Sequence, residues 1–344
     1  MQSSSSSSNR RIGVILGQVG APRTPEVSEI RRYLGEFLSD ERIIDLPRWK
    51  WLPILHGIVL RTRPRAVREN YLDIWTDEGS PLIEISKAQK AGLSKRLGPQ
   101  YQVELGLAYS RPTPAQAVEE LESSGVDAMV AVPLFPQYST TTTGSFYDAV
   151  MLALLGRNSK GRLSKKRDAL TLRTVPAYFD DPAYISVLAN SIRRQLTEGP
   201  KPDKMIVSFH GLPVRYVKEG DPYLAQCRKT AELLARELGW PKDYYEVAFQ
   251  SRFGREEWIK PYLQPRLTEL YRDGIHRPCI VAPGFTTDCL ETLHELGIEG
   301  RDLFVEGGGD GASYRVLTCL NAEPEWLDYL AGNIRQHSAG LETT

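Results

Sequence analysis

Lys204-Met205-Ile206-Val207-Ser208-Phe209-His210-Gly211-Leu212-Pro213 reads as a hydrophobic strand that stops on a histidine. Gly211 and Pro213 end the run at once and leave the imidazole of His210 at the strand tip. Working outward, comparable short apolar runs recur at 12–17, 102–108, 127–133, 170–175, 244–249 and 277–282, beside this one at 204–209. Helical patterns lie between them near 26–38, 84–97, 114–124, 182–197, 222–238 and 256–271. Strands alternating with helices imply βαβ crossovers and mainly parallel sheet, so the chain is an α/β protein. Residues 156–168 are the most hydrophilic and basic stretch and precede a fresh strand, which marks a connector between two halves with a boundary near 170.

The two halves echo one another in order. Gly20-Ala21-Pro22 matches Gly211-Leu212-Pro213, Ser110-Arg111 matches Ser251-Arg252, and Ala131-Val132-Pro133-Leu134-Phe135 matches Val281-Ala282-Pro283-Gly284-Phe285. Each match falls just after a strand, where open parallel sheets bind ligands at the carboxyl ends of their strands. Two such halves facing each other would enclose a cleft.

Composition removes several classes of function. With 43 Lys+Arg against 43 Asp+Glu there is no global basic field of the kind that holds a phosphate backbone, so a nucleic-acid partner is excluded. Cys227, Cys279, Cys289 and Cys319 form no C-x-x-C pair and read as reduced thiols of a cytosolic protein. The serine-rich start, residues 1–10, reads as a disordered tail, with no secretory signal, and no run reaches the roughly 18 apolar residues of a membrane span. Residues 47–68 stand apart: two tryptophans and an aliphatic run beside six Arg/Lys and no acid. That pattern suits either an interfacial lip or an amphipathic helix packed on its own domain.

Two constellations carry chemistry. His210 can take or give a proton near neutral pH and can ligate a borderline metal, or it can be a structural hydrogen-bonding residue. Phe285-Thr286-Thr287-Asp288-Cys289-Leu290-Glu291-Thr292-Leu293-His294-Glu295-Leu296-Gly297-Ile298-Glu299 caps a helix and sets carboxylates at 291, 295 and 299, on one face. Stacked like charges oppose a helix, and the interleaved leucines indicate that this one is packed. A carboxylate column opposite a strand-end histidine can hold a divalent cation loosely and pass it along, as suits a metal that is a substrate.

These segments resemble the ferrochelatase family. The resemblance is carried by Ser208-Phe209-His210-Gly211-Leu212-Pro213, Gly220-Asp221-Pro222-Tyr223, Phe249-Gln250-Ser251-Arg252-Phe253-Gly254 with Trp258, and Asp288-Cys289-Leu290-Glu291 through Glu295. In the first half it rests on Gly20-Ala21-Pro22, Arg32-Tyr33 with Glu36-Phe37-Leu38-Ser39-Asp40, Glu78-Gly79-Ser80-Pro81-Leu82, and Phe135-Pro136-Gln137-Tyr138-Ser139 with Thr143-Gly144. It implies two Rossmann-like domains of the chelatase type, at 11–170 and 171–318, then a C-terminal helix and tail at 319–344. The activity it implies is insertion of Fe2+ into protoporphyrin IX at the end of heme synthesis. By resemblance, His210 and Glu291 are the catalytic pair, and His210, Glu291, Glu295 and Glu299 serve metal or proton movement. Loss of two pyrrole protons as iron enters requires a base near the ring centre. Tyr109, Tyr138 and Trp258 are expected as apolar walls for the macrocycle, with Ser139 beside them, while Arg61, Arg65, Tyr71 and Ser80 are expected to meet its propionates.

Departures from the family pattern sharpen the expectation. Val19 stands where relatives that act on coproporphyrin often carry tyrosine, and the greasy stretch 49–60 points to protoporphyrin taken up by peripheral contact with the inner membrane of a cytoplasmic enzyme. No cysteine follows Asn321, so no iron–sulfur cluster and no tightly bound cofactor is expected. Cys289 replaces a histidine of some relatives, and no transmembrane tail is expected. The alternatives are a coproporphyrin III ferrochelatase, a chelatase for another metal and tetrapyrrole, and a non-catalytic tetrapyrrole or metal carrier.

Overall fold

The computed structural model describes residues 10–156 and 171–341. Residues 157–168 of the basic connector, the boundary near 170 and the serine-rich start at 1–9 lie outside the described residues.

Among the described residues eight strands form two four-stranded sheets, β1 (Ile12–Gln18), β2 (Tyr101–Leu107), β3 (Ala128–Pro133) and β4 (Thr171–Thr174) in one, and β5 (Lys204–His210), β6 (Tyr245–Gln250), β7 (Pro278–Val281) and β8 (Arg315–Val316) in the other. The orders are β2-β1-β3-β4 and β6-β5-β7-β8, and every pair is parallel. The same order twice gives the sequence echo a structural counterpart. β1 is buried at all seven positions, which is why it reads as a continuous apolar run: helices cover both faces of a parallel sheet. In each sheet the chain changes direction of winding between its first and third strands, so crevices open at the carboxyl ends of β1/β3 and β5/β7.

Local signals explain the helix starts. Pro81 opens Pro81–Leu97, Thr113 and Gln116 form a reciprocal cap on Pro114–Ser123, and Asp181 accepts from Ala183 N at the start of Pro182–Leu196. The helix expected over 256–271 is confined to Leu263–Glu269. Residues before it are drawn out along the strand ends, Trp258 bridging Pro213 and Tyr262 bridging Phe249, and Pro261 disfavours helical geometry at Lys260. The two-residue β8 carries too little pattern to be read from sequence.

The C-terminal helix Pro324–Ser338 packs back onto the first half, on Pro81–Leu97 and β3, and also onto Pro182–Leu196. Its Trp326 is fully buried and stacks on Tyr329 at 5.6 Å, with Tyr178 and Tyr184 completing an aromatic cluster. One hydrophobic core therefore runs through both halves.

Residues 48–74 wind as successive helical pieces, Arg48–Ile54, Leu55–Val59, Leu60–Ala66 and Arg68–Ile74. The stretch is part packed and part exposed. Trp51, Leu55 and Leu60 are buried against the first half, whereas Trp49 and Ile58 stand 74% and 61% exposed. Arg61 and Arg65 are exposed beside them. No helix among the described residues is long and apolar enough to cross a membrane.

Candidate active site

His210 is the last residue of β5, paired with Gln250 at the end of β6. Gly211 follows because space demands it. A Cβ there would lie 2.7 Å from the Gln250 backbone oxygen and 2.9 Å from the Trp258 ring. This close approach lets Gly211 N donate to Gln250 O at 2.8 Å and brings Trp258 to 6.3 Å from the imidazole, centroid to centroid. His210 is half-buried, and its Nδ1 lies 2.6 Å from Gly211 O. A carbonyl oxygen can only accept, so in the neutral ring Nδ1 carries the hydrogen and Nε2 keeps a lone pair. The backbone partner assigns the tautomer.

The carboxylate column follows β7, across the β5/β7 crevice, on a π-helix spanning Glu291–Glu299. This winding is uncommon and tends to mark functional segments. Polar partners fix its start: Asp288 accepts from Thr292 Oγ1 at 3.0 Å, Cys319 N at 3.2 Å and Asn321 Nδ2 at 2.7 Å. Near its far end Tyr314 Oη donates to Leu296 O at 2.8 Å.

The three carboxylates occupy different surroundings. Glu295 accepts from Ser251 Oγ at 2.6 Å, Gln264 Nε2 at 3.2 Å and Gln250 Nε2 at 3.3 Å. Burial pushes its pKa up, with the Glu291 charge adding to the rise, while the Ser251 bond and the nearby His210 oppose it. Glu291 faces the first half: after burial, its charge is among the causes that raise the pKa values of Tyr33 and Tyr71. Glu299 is half-exposed at the outer end, 3.4 Å from both His294 Nδ1 and Asn70 Nδ2. His294 is itself buried, its Nε2 3.2 Å from Asp73 on Arg68–Ile74, so it joins the π-helix to the lip. Among the described residues no three His, Cys, Asp or Glu side chains gather as a closed metal cage. Glu299 stands exposed at the outer end of the π-helix, while Glu291 and Glu295 are half-buried nearer its start, Glu295 with His210 nearby.

Gln250 connects the parts. Its Oε1 accepts from Ser208 Oγ at 2.8 Å, and its Nε2 donates to Glu291 O at 3.1 Å as well as to Glu295. Ser251 beside it holds φ at +64°, a left-handed backbone that a serine adopts at a cost of about 1–3 kcal/mol. The strain aims its hydroxyl at Glu295. Gln250 and Ser251 lie within a motif read from sequence, but nothing in the sequence assigns them to Glu295; Gln264 and Asp73 carry no signal at all.

The remaining expected residues divide by exposure. Arg61 and Arg65 stand exposed at the lip. Tyr71 is buried among the aromatic residues of the first half, 6.4 Å from Trp75 between centroids, and Ser80 is 5% exposed, its carbonyl accepting from Ile83 N and Glu84 N to start Pro81–Leu97. The Tyr109 hydroxyl bonds Asp40 at 2.7 Å and Ser145 at 2.6 Å, while its ring meets Phe37 edge-on at 5.0 Å. Tyr138 is half-buried, and the Ser139 hydroxyl donates to Asp221 at 3.0 Å. One contact that was not anticipated spans the halves: the Arg63 guanidinium lies 4.5 Å from the centroid of Phe253.

A family model described as Ferrochelatase matches residues 11–338. A ferrochelatase of Bordetella pertussis is 43% identical over 336 residues, 97% of this chain and 90% of the relative. A ferrochelatase of Nitrosococcus oceani is 42% identical over 333 residues, 96% of this chain and 88% of the relative. Ferrochelatase 1 of Shewanella oneidensis is 41% identical over 322 residues, 92% and 93%. Among solved structures, SirB from Bacillus subtilis with Fe3+ superposes with a TM-score of 0.52 at 15% identity, covering 75% of this chain and 90% of its own, which is a shared fold.

Proposed function

This chain belongs to the ferrochelatase family, and from that premise we propose that it inserts Fe2+ into protoporphyrin IX, with His210 and Glu291 as the catalytic pair. Iron insertion into a porphyrin for heme synthesis is the family's chemistry. The porphyrin and the residue roles are the proposed part.

The reaction removes two N–H protons as iron takes four nitrogens. His210 is the first acceptor, since its Nε2 lone pair is free while Nδ1 is held by Gly211 O. Glu295, whose burial makes it a stronger base than an ordinary carboxylate, receives protons from the same region and passes them outward. Glu291, between the first-half tyrosines and Glu295, meets the incoming iron, and Glu299 at the exposed end is its entry. The observation that carries these roles is the tautomer of His210 near Glu295, with Glu291 half-buried on the same π-helix.

Trp258, Tyr109 and Tyr138 are the apolar contacts for the macrocycle in this reading, with Arg61 and Arg65 meeting its carboxylates. Tyr71 contributes its ring to the floor. Ser80 and Ser139 keep only their structural bonds. The four cysteines are buried with their thiol pKa values pushed up by burial, which supports treating them as reduced packing residues. The repeated sheet order supports two chelatase-like domains meeting near 170, the second bearing the catalytic pair. Trp49, Ile54 and Ile58, exposed on the lip beside arginines, support uptake of a greasy porphyrin at the surface of the inner membrane by an otherwise cytoplasmic enzyme.

The test is an anaerobic assay that follows porphyrin fluorescence on adding ferrous iron, run in parallel with protoporphyrin IX and coproporphyrin III. A higher kcat/KM for protoporphyrin supports the reading. A preference for coproporphyrin overturns the substrate assignment, and binding without conversion of either overturns the enzyme.

A further inference from the structure

Asp221 is 7% exposed and follows the short helix Val214–Lys218, which itself follows His210. Gly220, at φ +110°, turns the chain so that this carboxylate points into the other half of the protein. There Oδ2 accepts three hydrogen bonds, from Ser139 Oγ at 3.0 Å, Thr140 N at 2.8 Å and Thr140 Oγ1 at 2.8 Å. Oδ1 accepts a fourth from Tyr223 N at 3.0 Å. The donors around Oδ2 belong to the start of the π-helical turn Thr140–Gly144, where backbone N–H groups lack partners of their own. A buried carboxylate with four donors is a rigid junction, because charged hydrogen bonds are short and directional.

The junction has neighbours on both sides. Tyr138 N donates to Gln226 Oε1 at 2.6 Å and Gln137 Nε2 to Thr230 Oγ1 at 2.9 Å, both acceptors lying on Tyr223–Leu238. At the head of that helix Tyr223 packs against the core that also holds Phe209, the neighbour of His210 on β5. Polar contacts thus run from the Tyr138 loop through Asp221 to Tyr223, and apolar packing continues from there to the strand that presents the imidazole.

The geometry points to Asp221 as a positioning residue that sets the Tyr138 loop at a fixed place relative to His210. It also occupies with its own carboxylate the donors of Ser139 and Thr140 that a substrate carboxylate would otherwise seek. Asp221 touches no reacting atom. It acts by holding an apolar wall of the porphyrin site in register with the proton acceptor, and so it governs porphyrin affinity more than the insertion step.

This inference rests on the proposed porphyrin chemistry, and the wild-type assay tests that separately. Asp221→Asn keeps the shape but turns an amide NH2 toward one set of donors. It should raise KM for protoporphyrin about tenfold, the order of one charged hydrogen bond, with kcat at saturating porphyrin changed by less than about twofold. Tyr138→Ala should weaken metal-free porphyrin binding, read by fluorescence titration, several-fold in the wild-type background and much less in the Asp221→Asn background. Gln226→Leu, which removes only the Tyr138 N acceptor, should give the same split in milder form and serves if Asp221→Asn fails to fold. A fall in kcat at unchanged KM, or a full Tyr138 effect in the Asp221→Asn or Gln226→Leu background, overturns the inference. If wild-type protein neither binds nor metallates porphyrin, the functional reading itself is what fails.

Discussion

Gly211→Ala is a one-methyl perturbation at the joint between the proton acceptor and its support. The added Cβ would sit 2.7 Å from Gln250 O, 2.9 Å from Trp258 Cε3 and 3.4 Å from Trp258 Cζ3, where ordinary contact starts at 3.4 Å. Gln250 O is backbone and already accepts from Gly211 N, so it yields only if the β5 and β6 ends part. Overpacking of this kind costs about 1–3 kcal/mol of stability. The effect on chemistry should exceed the effect on folding. Gln250 holds both Glu295 and the Glu291 carbonyl, so its displacement moves carboxylates and imidazole together, and a misplacement of about 1 Å can cost about a hundredfold in rate. Thermal unfolding by circular dichroism and anaerobic kcat would be measured on the same preparations. A lower midpoint with kcat reduced at least tenfold is expected. Unchanged kcat would refute the claim that this close approach sets the site.

Gly332→Ala is the contrasting glycine: in mid-helix, with nothing within 4 Å of its added Cβ, it should stabilise the fold by about 0.5–1 kcal/mol in denaturant titration and leave turnover unchanged. Glu295 is held above its ordinary pKa by burial, so the folded chain keeps its proton to higher pH than the unfolded chain. Its contribution to stability is therefore present below the ordinary carboxylate range and falls as pH rises through the raised value. Glu295→Gln should flatten the decline of the unfolding midpoint above about pH 4.3; parallel slopes for variant and wild type would contradict this. Trp326→Ala should cost about 3–5 kcal/mol in chemical denaturation, since a fully buried indole is removed from the core shared by both halves. Replacing Trp49 and Ile58 by serine should reduce co-sedimentation with anionic vesicles while leaving turnover of detergent-dispersed porphyrin intact.

How much of this was legible in the sequence depends on the range of the interactions involved. β1 and β5 announce themselves because strands covered on both faces need unbroken apolar runs, and His210 stands out because glycine and proline stop its strand. The spacing of Glu291, Glu295 and Glu299 shows a shared face but not the π-helical winding, since four-residue spacing suits both windings. What escaped is tertiary. Gln264 and Ser251 reach Glu295 from other elements, and Asp73 reaches His294 across the two halves. Ser139 and Asp221 meet over 82 positions of chain. The burial of Tyr71 and Ser80 likewise follows from how the lip and the Pro81–Leu97 helix pack, which no local pattern encodes. Residues 256–262 look helical by composition and are extended because two bridges claim their backbone.

The central claim is that His210 and Glu291 carry out the insertion. The most direct measurement is single-turnover loss of protoporphyrin fluorescence with ferrous iron under anaerobic conditions, for wild type, His210→Ala and Glu291→Ala, with unfolding midpoints recorded alongside. The account predicts that wild type converts the porphyrin, whereas each variant binds it, keeps a near-native midpoint and converts almost none. Full conversion by either well-folded variant would contradict it.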